Sequence, residues 1–326
     1  MIHYVVLAPY ASTMRDYLDT WGASLRDQIN ILPYHEFLSA RQLPFGTYIL
    51  SDIERLTPPE AICAAAISDV LTASHGARVL NHSIRSLRRR PLLELLHARG
   101  RNAFRVWPAT EADRVDRFPV FVRRERQHGG SLTPLLRSPS ELRSALRRMR
   151  LLGRPLRYLL IVEFCETRGP DDLYRKYSAF LVGDRLVPRH LIFSRRWMLN
   201  NPDLLDDRLI HEEMAFLETN PHEAWIRDTF AIAGMQYGRL DYGIFGVAPQ
   251  AWEINSNPVV MMRPEGYRPA HLPAQKWFAA RIQAAFEQLD TIQNPDEHIA
   301  TAVPDELRRN WERARRRADF VRLLRL

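Results

Sequence analysis

The chain has 326 residues, of which 46% are hydrophobic and 26% charged, and its formal net charge at pH 7 is +8. This length allows two or three domains, and the positive charge favours acidic partners such as nucleotides or nucleic acids. The two cysteines exclude a disulfide framework and are typical of a reducing compartment.

Residues 1–9 lack the basic segment and long apolar core of a signal peptide. No apolar run reaches the roughly 20 residues that a membrane-spanning helix needs. We therefore expect a cytoplasmic protein without a membrane partner.

The first part of the chain alternates between strand and helix patterns. Strands are predicted over 4–8, 47–51 and 77–81, and a helix over 59–73. This alternation indicates an α/β unit with a parallel sheet. A basic amphipathic helix is predicted next, over 86–99.

A buried strand over 118–123 ends in the cation Arg123 and is followed by Gly129, Gly130 and Ser131. Glycines let backbone N–H groups approach an anion closely, so such a loop can bind phosphate. Taken alone, the run is more typical of a linker or turn. His128, beside the glycines, is a weaker candidate for contacting phosphate or substrate.

A capped helix is predicted over 138–152, and an apolar strand over 157–165 contains Glu163. On its own, an acid at the end of a strand is almost as well explained by exposure to water.

Lys176 precedes a further strand and is one of only two lysines in the chain. Its compact ammonium suits a terminal phosphate, with Arg175 and Arg189 as neighbouring alternatives. Residues 195–235 are predicted to be mainly helical, with a turn at 200–203.

Polar residues then fall on two consecutive strand patterns. Glu253 and Asn255 alternate with apolar residues, so both side chains project from one face of a strand. Asp241 lies twelve positions before Glu253, and the turn-like segment 246–250 predicts a hairpin that brings the three together. Two carboxylates and an amide oxygen favour Mg²⁺, whereas the absence of His and Cys disfavours zinc.

The C-terminal region is predicted to be helical, with a basic helix over 306–326. Leu307, Trp311 and Ala314 recur at helical spacing, so this side is expected to pack while the arginines stay solvated. Binding of RNA or of a membrane surface is the less favoured interpretation.

These motifs resemble the ATP-grasp superfamily of carboxylate–amine ligases, which includes D-alanyl-D-alanine ligases, glutathione synthetases and ribosomal-protein glutamate ligases. The resemblance rests on Arg239-Leu-Asp241 and on Glu253-Ile-Asn-Ser-Asn-Pro258. It implies that Asp241, Glu253 and Asn255 hold one or two Mg²⁺ ions, or Mn²⁺, against the phosphates of ATP.

The same resemblance implies the nucleotide-binding residues. Arg123 stands where the family usually has a lysine, which is a departure from its pattern. The remaining residues implied to bind the nucleotide are Gly129, Gly130, Ser131, Val162, Glu163, Phe164, Lys176 and Arg189. Of these, Glu163 is implied to bond the ribose or the adenine amino group, with backbone contacts from Val162 and Phe164.

Arg239, assisted by Lys176 and Arg263, is implied to face the reacting acyl phosphate. The fold implied is α+β, with two ATP-grasp lobes that enclose the nucleotide, preceded by an α/β domain and followed by helices. The corresponding ranges are 1–84, 85–160, 161–270 and 271–326.

The implied activity is an ATP-dependent ligase that joins a small-molecule or peptide carboxylate to an amine. Two alternatives stay open, a kinase on the same fold and a basic nucleic-acid-binding module on a decayed fold. A homodimer is the default oligomer.

Overall fold

The computed structural model describes residues 1–74, 77–199, 204, 206–289 and 297–323. Four sheets are present in this part of the chain. The predicted turn at 200–203 lies outside the described residues. None of the described helices is both long and apolar enough to cross a membrane.

The N-terminal sheet is parallel, as the sequence predicts. Its strand order is β2-β1-β4-β5, with β1 Ile2–Val6, β2 Ile29–Pro33, β4 Thr47–Leu50 and β5 Arg78–Leu80. The helices of this region are α1 Ser12–Leu18, α2 Tyr34–Ser39 and α3 Pro58–Ala73. A capping box between Thr57 and Glu60 starts α3, because each residue bonds a backbone N–H of the first turn.

The second sheet is antiparallel, in the order β6-β8-β7. Its strands are β6 Val106–Pro108, β7 Val120–Arg124 and β8 Leu159–Glu163, and its helices are α4 Arg89–Ala98 and α5 Pro139–Leu151. As predicted, Ser138 caps α5 by accepting a hydrogen bond from Glu141 N. The apolar face of α5, formed by Leu142, Leu146 and Met149, packs on this sheet.

The third sheet carries most of the predicted site. Its antiparallel order is β10-β9-β11-β12, formed by β9 Tyr174–Val182, β10 Arg185–Ser194, β11 Tyr237–Phe245 and β12 Ala248–Asn255. The remaining helices against it are α6 Asp207–Thr219, α7 Glu223–Ala233 and α8 Leu272–Glu287. The apolar residues of α6 and α7 cover one face, and α8 packs on part of the other.

The C-terminal segment returns to the N-terminal region. Strand β13, His298–Ala300, pairs with β3, Gln42–Pro44, and helix α9, Asp305–Leu323, contacts α3. Helices α8 and α9 thus pack on different parts of the chain, and the predicted domain boundaries stay a prediction.

One expectation for α9 is wrong. Arg308 was expected to be solvated with the other arginines, but it is buried. Its guanidinium donates to Leu38 O and to both oxygens of Thr301, which explains how a charged side chain is accommodated there. Arg309, Arg313, Arg315 and Arg316 are exposed.

Candidate functional site

The β11–β12 hairpin places the predicted metal-binding residues on one face. Asp241 pairs directly with Glu253, and Arg239 with Asn255. A β-bulge follows Asp241, so the pairing register changes between these four residues and the turn. All of them except Arg239 are buried.

Asp241 is surrounded by donors. Arg239 donates to its two oxygens, with Nε–Oδ1 and Nη2–Oδ2 distances of 2.8 and 3.1 Å, and Ser178 Oγ donates to Oδ1 at 2.8 Å. Lys176 Nζ lies 3.8 Å from Oδ2. Burial alone would raise the pKa of Asp241, but Arg239 and Lys176 hold it below its usual range, so the group is a carboxylate at neutral pH.

Glu253 uses its two oxygens unequally. Oε2 accepts from Arg89 Nη2 and from Arg123 Nη2, the latter at 3.1 Å, and lies 3.6 Å from His128 Nδ1. Oε1 has no hydrogen-bond partner among the described residues, which leaves it free to bind a cation. The two arginines compensate the buried charge from one side only.

These groups line a cavity of about 360 Å³ between the second and third sheets. Its polar lining residues include Arg123, Lys176, Arg239, Asp241 and Glu253. Its apolar walls are Leu93, Phe104, Phe121, Val162, Phe164, Trp197, Leu199 and Trp252. The volume is that of pockets for ligands of drug or cofactor size.

The glycine-rich segment closes one side of this cavity. Gly129 and Gly130 line it, whereas Ser131 does not. The Ser131 hydroxyl instead bonds Val122 O and Thr133 O, within the loop's own backbone. The predicted group therefore divides into two glycines at the cavity and a serine that shapes the loop.

Arg123 lines the cavity with one donor unused. Its Nε is buried and has no hydrogen-bond partner in the described part of the chain, while Nη2 donates to Glu253 and, at 3.4 Å, to Gly129 O. Burial lowers the pKa of Arg123 to about 10, so the guanidinium stays charged at neutral pH. A buried donor without an acceptor is costly unless a ligand supplies one.

The residues at the end of β8 are arranged differently from the alternative expectation that Glu163 faces water. The Glu163 carboxylate is buried and accepts from Arg105 N, Arg105 Nε and two nitrogens of Arg117, so it does not face water. Phe164 N already donates to Pro119 O. Val162 lies in the central strand and pairs with both neighbours. The N–H of Phe164 is therefore already bonded within the protein, and the nucleotide contacts expected from the backbone of Val162 and Phe164 stay a prediction.

Cys165 is the next residue along and also lines the cavity. Its N–H has no hydrogen-bond partner among the described residues.

Two predicted cations lie away from this cavity. Arg189 is buried against α8, where it donates to Val260 O, Gln275 Oε1 and Tyr267 OH. Arg263 is exposed and pairs with Asp16 Oδ1 at 3.1 Å. Neither residue lines this cavity. The alternative Arg175 is likewise held by Asp171 and Glu212.

Residues from distant parts of the chain also reach the site, and the sequence did not predict them. Arg89, at the start of α4, bonds Glu253 and three backbone carbonyls of the segment 124–127. Glu54, in the N-terminal region, accepts a hydrogen bond from Ser256 Oγ. Its Oε1 also forms a hydrogen bond with His128 Nε2 at a distance of 2.7 Å. Burial opposes ionisation of Glu54, but hydrogen bonds from His128 and Ser256 lower its pKa to about 2.

The sequence could have indicated Glu54, because it closely follows β4 of the parallel sheet and ligands commonly bind at the carboxyl ends of such strands. His128 thereby ties the glycine-rich segment to the N-terminal region.

No group of three or more His, Cys, Asp or Glu among the described residues is placed to hold a metal. A divalent ion here would instead take Asp241, Glu253 Oε1 and the amide oxygen of Asn255. These are oxygen donors of the kind that Mg²⁺ prefers, and Mg²⁺ commonly completes its shell with water and phosphate. Asn255 Oδ1 already accepts from Asn257 N at 2.9 Å, but an amide oxygen has a second lone pair.

No protein-family model and no curated protein matches the chain. Among solved structures, D-alanine–D-alanine ligase from Bacillus anthracis in complex with ATP is similar, with a TM-score of 0.50 and 10% identity over 88% of this chain and 95% of that chain. A RimK-domain ATP-grasp protein from Sphaerobacter thermophilus has a TM-score of 0.46 and 14% identity over 88% of this chain and 99% of that chain.

The chain has the ATP-grasp fold. At such low identity the likeness concerns the fold, which accounts for the two antiparallel sheets that face each other across the cavity.

Proposed function

We propose that this protein is an ATP- and Mg²⁺-dependent ligase that activates a carboxylate and joins it to an amine. The observation that carries the proposal is the convergence of Asp241 and Glu253 with Lys176, Arg239 and Arg123 on one cavity. The similar ligase from Bacillus anthracis was solved with ATP, which supports ATP as the nucleotide.

The adenine would lie among the aromatic walls. Trp197 lies 5.0 Å from Phe121 and 5.7 Å from Phe164, measured between ring centroids, so the three form one aromatic cluster in the cavity wall. A flat heteroaromatic ring packs well against such faces. The free N–H of Cys165 would supply a hydrogen bond at the edge of the ring.

The phosphates would lie towards the glycines and the cations. Arg123 Nε is a buried donor in need of an acceptor, and Gly129 and Gly130 allow close approach of an anion. Lys176 adds a compact charge whose position is fixed by Asp241. Bound between Asp241, Glu253 and Asn255, Mg²⁺ would neutralise the charge of the phosphates.

The reaction needs no nucleophile from the protein, because positioning and charge stabilisation carry phosphoryl transfer. A substrate carboxylate oxygen attacks the γ-phosphorus, the bond from that phosphorus to the bridging oxygen breaks, and ADP leaves. The amine then attacks the acyl carbon, the C–O bond to phosphate breaks, and inorganic phosphate leaves while the nitrogen loses a proton.

Arg239 is the residue proposed to stabilise the charge that develops on the acyl group. Its Nε and Nη2 are fixed by Asp241, and Nη1 has no partner among the described residues. A donor that is held rigidly before the reaction contributes more to the rate than one that must reorganise.

An isotope experiment tests the proposal. The protein is incubated with ATP, Mg²⁺, amines, and amino acids or dipeptides labelled with oxygen-18 in the carboxylate, and the products are analysed by mass spectrometry. We expect an amide and inorganic phosphate that carries one oxygen-18. A phosphorylated product without an amide would indicate a kinase instead, and no carboxylate-dependent ADP formation would contradict the ligase.

A further inference from the structure

A second cavity, of about 560 Å³, adjoins the nucleotide cavity. Lys176 and Arg239 line both, so the two spaces meet at these cations. From there the second cavity extends across β9 to the edge strand β10, and α6 and the segment 259–275 form its outer walls. With strands about 5 Å apart, the path from β11 to β10 is roughly 10 Å long.

The inner end of this cavity is positively charged. Lys176 and Arg239 share one carboxylate, that of Asp241, so their combined charge is only partly compensated. The buried guanidinium of Arg189 adds to the field. An anionic group is therefore favoured at this end, directly beside the place proposed for the terminal phosphate.

The outer part combines apolar side chains with the polar residues Glu213, Arg268, His271 and Gln275. Leu209 and Ile210 of α6 line it, together with Phe193 of β10. Val259 and Met262 form the opposite side and are 47% and 49% exposed. Large apolar side chains left open on a concave wall favour an apolar ligand, because burying them removes their surface from water.

Tyr267 adds one oriented polar group on this wall. Its hydroxyl oxygen accepts from Arg189 Nη2 at 3.0 Å and from Met262 N at 2.9 Å. A hydroxyl has two acceptor sites and one proton, so both acceptor sites are used. The hydroxyl proton is left to donate to a ligand. It could therefore bind one polar acceptor on an otherwise apolar molecule.

We propose that this second cavity binds the carboxylate substrate, and that the substrate is a carboxylic acid with an apolar body. The inference rests on the proposed ligase function and names its substrate class. The carboxylate lies at Lys176 and Arg239, where it faces the nucleotide, and the body runs along β10 towards Leu209 and Ile210.

Calorimetric titration without nucleotide tests the chemistry of the cavity. The probes are 4-phenylbutyrate, 4-phenylbutylamine, which has the same body and the opposite charge, and acetate, which has the charge without the body. We expect 4-phenylbutyrate to bind at least tenfold more tightly than either. Equal binding of the amine, or of acetate, would overturn the proposal.

Variants then locate the site. Ile210→Asp and Met262→Asp are expected to weaken 4-phenylbutyrate at least tenfold, whereas His211→Asp, at the exposed neighbour on α6, keeps wild-type affinity. Because Met262 is half-exposed, its variant should fold even if Ile210→Asp does not. Wild-type binding in Met262→Asp, or equal weakening in His211→Asp, would place the acid elsewhere.

Nucleotide binding is measured in parallel on the same proteins. Selective binding of 4-phenylbutyrate with no binding of Mg²⁺-ATP would contradict the proposed function but support the charge and shape of this cavity. Binding of Mg²⁺-ATP with no selectivity for 4-phenylbutyrate would overturn the substrate class alone.

Discussion

Glu253 combines two tasks in one side chain. Its Oε2 compensates Arg89, which is buried, and Arg123, which is half-buried, while its Oε1 stays available. Removing the whole side chain would therefore leave both cations without their partner, an effect that the sequence could not indicate. Replacing one oxygen by an amide nitrogen keeps an acceptor for the arginines but removes the negative charge and one of the oxygens that a cation would bind.

We predict that Glu253→Gln folds but loses turnover by roughly 100-fold or more, the order seen when a preorganised electrostatic group is removed. Glu253→Ala is expected to lose about 3–5 kcal/mol of unfolding free energy as well, since it removes both the charge and the hydrogen-bond acceptor that Arg89 and Arg123 share. Urea unfolding measures the stability and ADP release measures the turnover. Glu218→Gln, at an exposed position of α6, is the control. Equal stability of both variants, or wild-type turnover in Glu253→Gln, would contradict the assignment.

Asp52 is a second residue whose environment has a measurable consequence. It lies in the left-handed region with φ of 53°, is fully buried, and accepts from Leu7 N and Asn257 Nδ2. Burial raises its pKa from 3.8 to about 6, against the opposing effect of Arg55. The folded state therefore binds the proton more tightly than the unfolded state does.

It follows that the contribution of Asp52 to stability is complete below pH 3.8 and is lost as the pH rises through about 6. We predict that Asp52→Asn, which stays neutral and tolerates the left-handed backbone, gains roughly 2–3 kcal/mol relative to wild type between pH 4 and pH 7. Urea unfolding at intervals of pH measures the difference. Parallel stability profiles of the two proteins would show that Asp52 does not titrate in this window.

Among the elements, the glycine-rich loop is proposed to bind phosphate because its glycines have no side chain to block close approach. A Cβ added at Gly129 would meet no atom within 4 Å, and the residue does not have a positive φ. The loop fold therefore tolerates alanine at this position, although the added methyl would stand at the cavity.

We predict that Gly129→Ala keeps the unfolding free energy within about 0.5 kcal/mol and raises the Kd for Mg²⁺-ATP roughly tenfold, since a methyl group blocks close approach of phosphate. Gly266→Ala, where a Cβ makes only ordinary contacts with Met262 outside the nucleotide cavity, is the matched control. Nucleotide titration measures both. Unchanged affinity in Gly129→Ala would exclude a phosphate contact at this residue.

The sequence predicted elements well where the pattern is local. Alternation of polar and apolar residues and a turn signal gave the β11–β12 hairpin, with Asp241 opposite Glu253. Strand β2 and helices α1 and α2 were not predicted, because they are short segments.

Local sequence patterns could not predict which side chains from distant segments would contact the site. Arg89 and Glu54 reach the site only through tertiary packing. Arg263 lies close to the motif in sequence, yet Asp16 of α1 holds it outside. Local patterns predicted strands β11 and β12 correctly. They could not identify which of the nearby cations is held by a carboxylate outside the cavity.

At the scale of the whole molecule, the N-terminal region and the loop after β12 are joined by buried polar contacts. Asn257 accepts from Tyr4 OH and Thr13 Oγ1 and donates to Asp52, while Glu54 bonds both Ser256 and His128. These bonds fix the loop that follows β12. The N-terminal region therefore contributes to the shape of the cavity between the second and third sheets without supplying a lining residue to it.

The central claim is that Asp241 and Glu253 hold a divalent cation against the phosphates of a bound nucleotide. Calorimetric titration of ATP into the wild type and Asp241→Asn, each with Mg²⁺ and with EDTA, tests it most directly. We predict that Mg²⁺ tightens ATP binding at least tenfold in the wild type and has little effect in Asp241→Asn. The claim would be contradicted by ATP binding that is independent of Mg²⁺ in the wild type, or equally dependent on it in both proteins.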